Sequence, residues 1–377
     1  MDNNSLLQTP LYSCAQALKA RMVPFAGWEM AVQYAGIIPE HQAVRANAGL
    51  FDISHMGKFV LSGEKLIETL QQLVPSDLSQ LQPGQAQYTV LLNEQAGILD
   101  DIIFYDQGIQ VDSETQAEVQ RGVMIVNAAT READKAWILK HLDNTNIVLE
   151  DLTDSKVLLA LQGPKATEKL QSCVAGDLST LKLFQHFETS IFGTGAFVAR
   201  TGYTGEDGFE IMVDPEIGIK LWQHLLAEGI QPCGLGCRDT LRLEAAMALY
   251  GQDIDPTTTP LEAGLRWLVH LDTKGEFIGR SVLEQQKAAG VSRRLVGLEM
   301  LGRHIARHGY AVKLSGETIG EITSGTLSPT LGKAIALAYV SKEFAKVGQE
   351  VDVEIRGKIY PAKVVKRPFY RSQSRPA

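Results

Sequence analysis

The chain has 377 residues, 45% hydrophobic and 21% charged, which is enough apolar matter for about two or three ordinary globular domains. The net charge of −8 argues against a nucleic-acid binder, and no apolar run approaches the roughly 20 residues that span a bilayer, so no membrane partner is expected. Met1 to Gln8 carry an acid and no base; that reads neither as a secretory leader nor as an Arg-rich transit peptide, and a reducing, cytoplasmic location is expected.

In chain order, Ile38-Pro39-Glu40-His41-Gln42-Ala43-Val44-Arg45 starts a helix, with Pro39 in its first turn. Phe59–Gly63 reads as a strand, leading through a turn into a helix over Lys65–Leu73. Tyr88–Leu92, Ile98–Tyr105 and Val123–Asn127 are strand candidates rich in β-branched and aromatic residues, and Trp137–Leu142 looks helical. A second strand–helix unit follows: Val157–Gln162 is a continuous apolar run stopped by Gly163-Pro164, and Lys165–Cys173 has helical periodicity. Ala196–Arg200 and Phe209–Val213 are strands around a glycine-rich turn, and Asp239–Tyr250 is expected as an apolar-faced helix capped by Gly251.

After a helix over Val282–Ala289 the texture changes. Arg294–Met300, Ala311–Leu314, Thr318–Ile322, Ala334–Val340, Glu350–Ile355 and Lys358–Lys366 are short strands, with hairpin turn signals at Ser315-Gly316 and Arg356-Gly357. This is the pattern of a small β-barrel or sandwich, so a boundary falls near residue 290. No fixed-period repeat and no low-complexity stretch is legible. Charge is uneven: residues 291–377 hold 15 Lys+Arg against 7 Asp+Glu, a net of +8, which leaves −16 for residues 1–290. The basic part is either a solvated face or a docking surface for something acidic, with Arg293 and Arg294 as residues to test.

Four cysteines, at 14, 173, 233 and 237, are too sparse for a disulfide scaffold. Cys233 and Cys237 lie one residue too far apart for a CxxC hook and read as small buried hydrophobes, so no metal is expected. Five other places could carry chemistry. Asp100-Asp101 interrupts an apolar strand, and since neighbouring side chains in a strand point to opposite faces, only one of the two can face a pocket. An enclosed carboxylate there could orient, or take a proton from, an amine; an acidic turn or edge is the plainer reading.

The run Arg200 to Glu210 places three glycines within seven residues, which lets the backbone approach a ligand closely. Tyr203 could stack on a flat heteroaromatic ring and Glu210 could accept from an amino-pyrimidine edge; a simple hairpin would look the same. Arg238, at a helix start, is poorly placed for the helix dipole but suited to a ligand carboxylate, unless it pairs with Asp239. His55, in Asp52-Ile53-Ser54-His55-Met56-Gly57-Lys58, lacks a nucleophile elbow and reads as a satisfied structural histidine. Tyr88 and Asn127 are polar groups in apolar strands that need a partner, either a ligand or the backbone.

Taken together, Phe25-Ala26-Gly27-Trp28-Glu29-Met30, Phe51 to Gly57, Leu99-Asp100-Asp101, Leu161-Gln162-Gly163-Pro164, Tyr203 to Glu210, Leu249-Tyr250-Gly251-Gln252-Asp253 and Thr323 to Gly332 resemble the aminomethyltransferase, or T-protein, family of the glycine cleavage system. The likeness runs from Thr9-Pro10-Leu11 to Pro368-Phe369-Tyr370-Arg371. It implies an α+β, three-domain, cloverleaf-like fold with a C-terminal small β-barrel. The implied domains are residues 1–55 plus 145–240, 56–144, a helical connection over 241–289, and a barrel over 290–377. It also implies an enzyme that moves an aminomethyl carbon from the lipoyl arm of H protein to tetrahydrofolate, the acceptor substrate, releasing ammonia.

By the same resemblance Asp101 is the catalytic carboxylate. Met56, Tyr88, Asn127, Tyr203 and Glu210 line the folate pocket, with Arg238 and Arg371 on the folate tail. The chain departs from the family pattern in two places: Ala96 stands where a first glycine is common, and Gln185 where relatives can offer a tyrosine. The alternatives are another folate-dependent one-carbon transferase or demethylase of this fold, and a non-catalytic folate-binding iron–sulfur assembly factor. Arg-Thr-Gly-Tyr at 200–203 and the acid pair favour the enzyme.

Overall fold

The computed structural model describes residues 5–111, 118–143 and 145–372; the leader reading of Met1 to Gln8 falls partly outside them. Two sheets and a closed barrel carry the fold. In spatial order the first sheet runs Ala86–Leu92, Ile98–Val111, Glu118–Val126, Gly57–Gly63 and Val148–Asp151, all antiparallel. The second runs His186–Ile191, Thr194–Ala199, Gly208–Val213, Val157–Gln162, Gly49–Asp52 and Gln231–Cys233, of which the last pair is parallel. Gly49–Asp52 precedes the whole first sheet in the chain, so the second sheet is assembled from both sides of it.

The strands are buried on both faces, and parity decides which face meets what. In Val157–Gln162, residues 157, 159 and 161 pack with Leu170, Leu221 and Trp222 under the helices, while Leu158 and Ala160 face the other sheet. Ile102 and Phe104 likewise meet the helix side of the first sheet; Ile103 and Tyr105 meet the second sheet. A sheet sandwiched between helices and another sheet therefore reads as a continuous apolar run instead of an alternating one.

The two sheets also follow one chain trace, which corrects the expectation of no repeat. Strand, short helix, 3-10 turn, hairpin, strand, helix and strand occur over 57–151 and again over 157–233. The polar turn residues recur at an offset of 100. Gln71 and Gln171 each accept the N–H of Leu78 and Leu178 at 2.9 Å. Asp77 and Asp177 accept from Ser79 and Ser179, and Gln85 and Gln185 accept from Gln82 and Lys182. Gln85 and Gln185 then pair with each other in an isolated antiparallel bridge that joins the two edge strands. The repeat escapes composition because core positions tolerate hydrophobic exchange, whereas the few turn-capping residues do not.

The C-terminal strands close into a barrel in the order Arg293–Met300, Ala334–Ser341, Glu317–Leu327, Ala311–Leu314, Glu350–Ile355, Lys358–Val365. Both anticipated two-residue turns have positive φ at each position, Ser315 and Gly316 at 50° and 88°, Arg356 and Gly357 at 52° and 76°, as a type I′ hairpin requires. Leu295, Ile335, Leu337 and Tyr339 on the outer barrel face pack against Leu243.

Other elements differ from expectation. The helix expected over Asp239–Tyr250 runs Leu235–Glu244; it stops because Ala246 turns left-handed at φ 55°, and 247–250 peel away to line a cavity. Between it and the helix Arg280–Ala289, one 3-10 turn, Arg266–Leu268, interrupts otherwise irregular chain. The helix Pro215–Ala227 was not anticipated, although Asp214 before Pro215 and Gly229 just beyond its end are ordinary start and stop signals.

Candidate functional site

Where the two sheets, the hairpin Arg21–Gln33, the irregular 245–272 segment and the barrel meet, they enclose a cavity of about 1440 Å³. Met56, Tyr88, Asp101, Asn127, Tyr203, Glu210, Arg238 and Arg371 all line it. Strand parity explains the acid pair: Asp101 looks away from the helices, as Ile103 and Tyr105 do, and with Ile103 it lines the cavity, while Asp100 turns to the helix side and is fully buried.

The two acids partner Tyr88 and Asn127, and Asn127 Nδ2 also donates to the Asp101 carbonyl at 3.2 Å. Tyr88 OH donates to Asp101 Oδ2 at 3.0 Å. Asn127 Nδ2 donates to Asp101 Oδ1 at 2.9 Å and to Asp100 Oδ1 at 2.8 Å, and the Asn127 N–H donates to Asp100 Oδ2 at 2.9 Å. Burial, then the neighbouring Asp100 charge, pushes the Asp101 carboxyl up to about 7, against the opposing pull of its two hydrogen bonds. A carboxyl poised near neutrality can exchange a proton with an amine at ordinary pH.

Tyr203 is fixed by its hydroxyl on the Ala248 carbonyl, and the Arg238 guanidinium lies 4.6 Å over its ring. Asp239 pairs with Arg242 at 2.8 Å, so the alternative Arg238–Asp239 pair does not form. Among the described residues no hydrogen bond or ion pair engages the Arg238 guanidinium, and burial lowers its affinity for its proton. Glu210 Oε2 accepts from Thr201 at 2.8 Å and Tyr105 at 3.4 Å, while Oε1 accepts from none of the described residues. The cavity thus offers a guanidinium and a carboxylate oxygen that take no hydrogen bond among the described residues, beside the rings of Tyr88 and Tyr203. Arg371 sits on its exposed rim.

His55 departs from the satisfied structural histidine expected of it. It lines the cavity, its Nδ1 is buried without a hydrogen-bond partner among the described residues, and its ring meets Phe25 edge-on at 5.7 Å. Burial, with Arg238 and Lys58 nearby, drops it to about 3, so it is neutral. The buried Lys58 ammonium holds the turn that presents His55 and Met56, donating to Ser54 O at 2.7 Å and Met56 O at 3.0 Å. Gln185 is occupied in its own turn, and Phe184 takes the cavity wall instead.

Trp267, stacked on Tyr88 at 5.9 Å, and the buried Asp134 behind Asp100 escaped the sequence reading. Both come from segments with no local pattern to set them apart. Arg293 is not free for docking, because it pairs with Glu262 at 3.1 Å and lies over Tyr339; Arg294 is exposed at the cavity rim. Glu40, Cys233 and Cys237 form a buried group with metal-ligand atoms close together. The Glu40 oxygens are already taken by the Tyr34, Gly36 and Gly234 N–H groups, which leaves the thiols as the packing groups expected of them.

Residues 11–273 match the family model described as the GCVT N-terminal domain, and residues 293–371 match the glycine cleavage T-protein C-terminal barrel domain. The chain is 64% identical to the aminomethyltransferase of Nostoc sp., over 98% of this chain and 97% of that protein. It is 61% identical to that of Rippkaea orientalis, over 99% and 100%. Its structure is similar to the crystal structure of glycine cleavage system aminomethyltransferase T from Bartonella henselae, with a TM-score of 0.89 at 37% identity, covering 98% of this chain and 99% of that one. No helix among the described residues is long and apolar enough to cross a membrane.

Proposed function

Because the chain belongs to the glycine cleavage T-protein family of aminomethyltransferases, we propose that its central cavity brings tetrahydrofolate together with the aminomethyl-bearing lipoyl arm of H protein, with Asp101 at the reacting centre. The chain is a tetrahydrofolate-dependent transferase of one-carbon units; the residues and the carrier are the proposal. Size favours two occupants, since about 1440 Å³ exceeds the roughly 300–1,000 Å³ that a single small ligand fills.

The unused groups suit folate. Tyr203 and Tyr88 offer faces to a pterin, the free Glu210 oxygen accepts from its amino-pyrimidine edge, and Arg238 and Arg371 take the carboxylate-bearing tail. The carrier delivers carbon as S–CH₂–NH₂. The carbon–nitrogen bond breaks and ammonia leaves; a folate nitrogen takes the carbon; the carbon–sulfur bond then breaks as the second nitrogen closes the ring. The two folate N–H protons end on ammonia and on the dihydrolipoyl sulfur, so the products are 5,10-methylenetetrahydrofolate, ammonia and the reduced carrier.

Holding both reactants in one enclosed space supplies most of the acceleration. Asp101 orients the folate amine and favours the positive charge that develops on the transferred carbon, in a site where water does not screen it. The observation that carries the reading is this carboxyl, raised to about 7 and facing the cavity between two fixed hydrogen-bond donors. The test is methylenetetrahydrofolate formation from tetrahydrofolate and aminomethyl-loaded H protein. Turnover that needs the carrier and collapses in Asp101→Asn, with folate binding retained, supports it. Folate binding without turnover would point to a different one-carbon donor, and a parallel loss of folate affinity in the variant would remove Asp101 from the catalytic role.

A further inference from the structure

Asp100 and Asp134 are 0% and 1% exposed. Asp100 leaves the strand Ile98–Val111 toward the helix Arg131–Leu142, and Asp134 meets it from the first turn of that helix, the two carboxyl groups lying within hydrogen-bonding reach of each other. Asp134 Oδ2 is buried and has no hydrogen-bond partner among the described residues. Both Asp100 oxygens already accept from Asn127.

The groups that face these acids from other elements are Asp101, Tyr88 and Tyr250. The cation in range, Arg238, lies on the cavity side, where it acts on Asp101. Two buried ionised carboxylates in contact repel at close range and cannot both persist. A single proton between them removes the repulsion and satisfies the orphaned oxygen.

We propose that Asp100 and Asp134 share one proton, and that this hydrogen-bonded acid pair is the positioning element that clamps Asn127 and, through it, the Asp101 carboxylate. Asp134 is a positioning residue, since it touches neither the cavity nor the reacting atoms. The pair rests on the reading of Asp101 as the reacting carboxyl. It holds one negative charge behind Asp101 instead of two, so Asp101 can ionise near neutral pH. Asn127 is gripped at its N–H and its Nδ2 by Asp100, and so presents Nδ2 to Asp101 in one orientation.

The isosteric Asp134→Asn tests this in the full chain. An amide at 134 can donate to Asp100 without an extra proton, and the pair's charge moves onto Asp100, next to Asp101. With aspartate labelled at its carboxyl carbon, ¹³C spectra of the wild type at about pH 8 should contain an un-ionised aspartate resonance that is absent from Asp134→Asn. The acid limb of kcat/KM should move up by roughly one pH unit, with KM for tetrahydrofolate unchanged within about twofold. A wild type with every aspartate ionised, or a variant whose melting temperature falls while its acid limb stays in place, overturns the proposal. If the resonance behaves as expected but the wild type does not turn over, the catalytic reading of the cavity fails and the shared proton stands.

Discussion

At the scale of single residues, Asp101 carries opposed consequences for activity and stability. Its carboxyl ordinarily titrates at 3.8 and is pushed up to about 7 in the fold. The folded chain therefore holds a proton that the unfolded chain has released, so this group's stabilisation is complete below about 3.8 and is lost as pH rises through about 7. Catalysis needs the ionised form, so kcat/KM should rise through the same window. Asp101→Asn should flatten that limb and lower turnover by roughly 10²-fold or more, while melting a few degrees above the wild type at alkaline pH. A variant that is both less active and less stable at alkaline pH would contradict this account.

His55 allows an equally direct check. A satisfied buried histidine would leave its partner stranded when replaced, but the buried Nδ1 of His55 has no hydrogen-bond partner among the described residues. His55→Phe should therefore shift stability by less than about 1 kcal/mol, as read from chemical denaturation. A loss of several times that would mean that the ring is held by contacts other than its packing against Phe25.

At the scale of elements, the acid-bearing strand is aimed by the turn before it. Asn93 Oδ1 accepts the Gly97 N–H at 2.8 Å, and the Ile98 N–H reaches the Asp255 and Thr258 carbonyls. Ala96 occupies a left-handed conformation, φ 59°, which is the physical reason a glycine suits that place; Gly97 lies so close to Pro256 that a methyl group would overlap its carbonyl. Gly97→Ala should cost about 1–3 kcal/mol by overpacking. Because the strand can relax only by shifting Asp100 and Asp101 together, turnover should fall in the same variant. Normal activity in a destabilised Gly97→Ala protein would uncouple the turn from the site.

At the scale of the whole molecule, the barrel is fastened to the sheets by two buried polar knots on the helix Leu235–Glu244. Glu244 accepts from Arg45, Ser328 and Thr330 and lies 3.2 Å from His41, joining the helix Ile37–Ala46 to the barrel loop at 328–330. Arg242 meets Asp253 and Ser324 from the same helix. Burial opposes the Glu244 charge, but the His41, Ser328 and Arg45 contacts outweigh it and hold the carboxyl at about 2. Its stabilisation is present above the ordinary value of 4.5 and is lost as pH falls through about 2. Glu244→Ala leaves Arg45 with Glu206 as its remaining ion partner and takes the acceptor from Ser328 and Thr330, so it should cost about 1–3 kcal/mol. It should also abolish the part of acid unfolding that lies between these two values, as measured by denaturation across pH.

How much of this was legible beforehand depended on the range of the interactions. The barrel strands and their Ser315-Gly316 and Arg356-Gly357 turns could be read because hairpins are local: the turn residues and the alternating face lie within a few positions of each other. The opposite facing of Asp100 and Asp101 followed from the pleat alone. Asp101, Tyr88, Asn127, Tyr203, Glu210 and Arg238 were nameable from the chain, but their shared cavity comes from strands and loops far apart in sequence.

Other features had no local signature. The repeat over 57–151 and 157–233 survives in turn-capping residues such as Gln71 and Gln171, while its apolar positions have drifted. Asp134 lies before the stretch expected as helical, Trp137–Leu142, and nothing local marked it; its contact with Asp100 exists because the helix begins at Arg131 and covers that strand. The sequence by itself determined local periodicity, turn chemistry, side-chain parity and the family, all of which depend on neighbouring residues or on motifs kept in order. The tertiary structure alone decided which polar groups are buried, which are paired and which are left facing the cavity, because desolvation and charge coupling depend on distances in space that the order of residues does not contain.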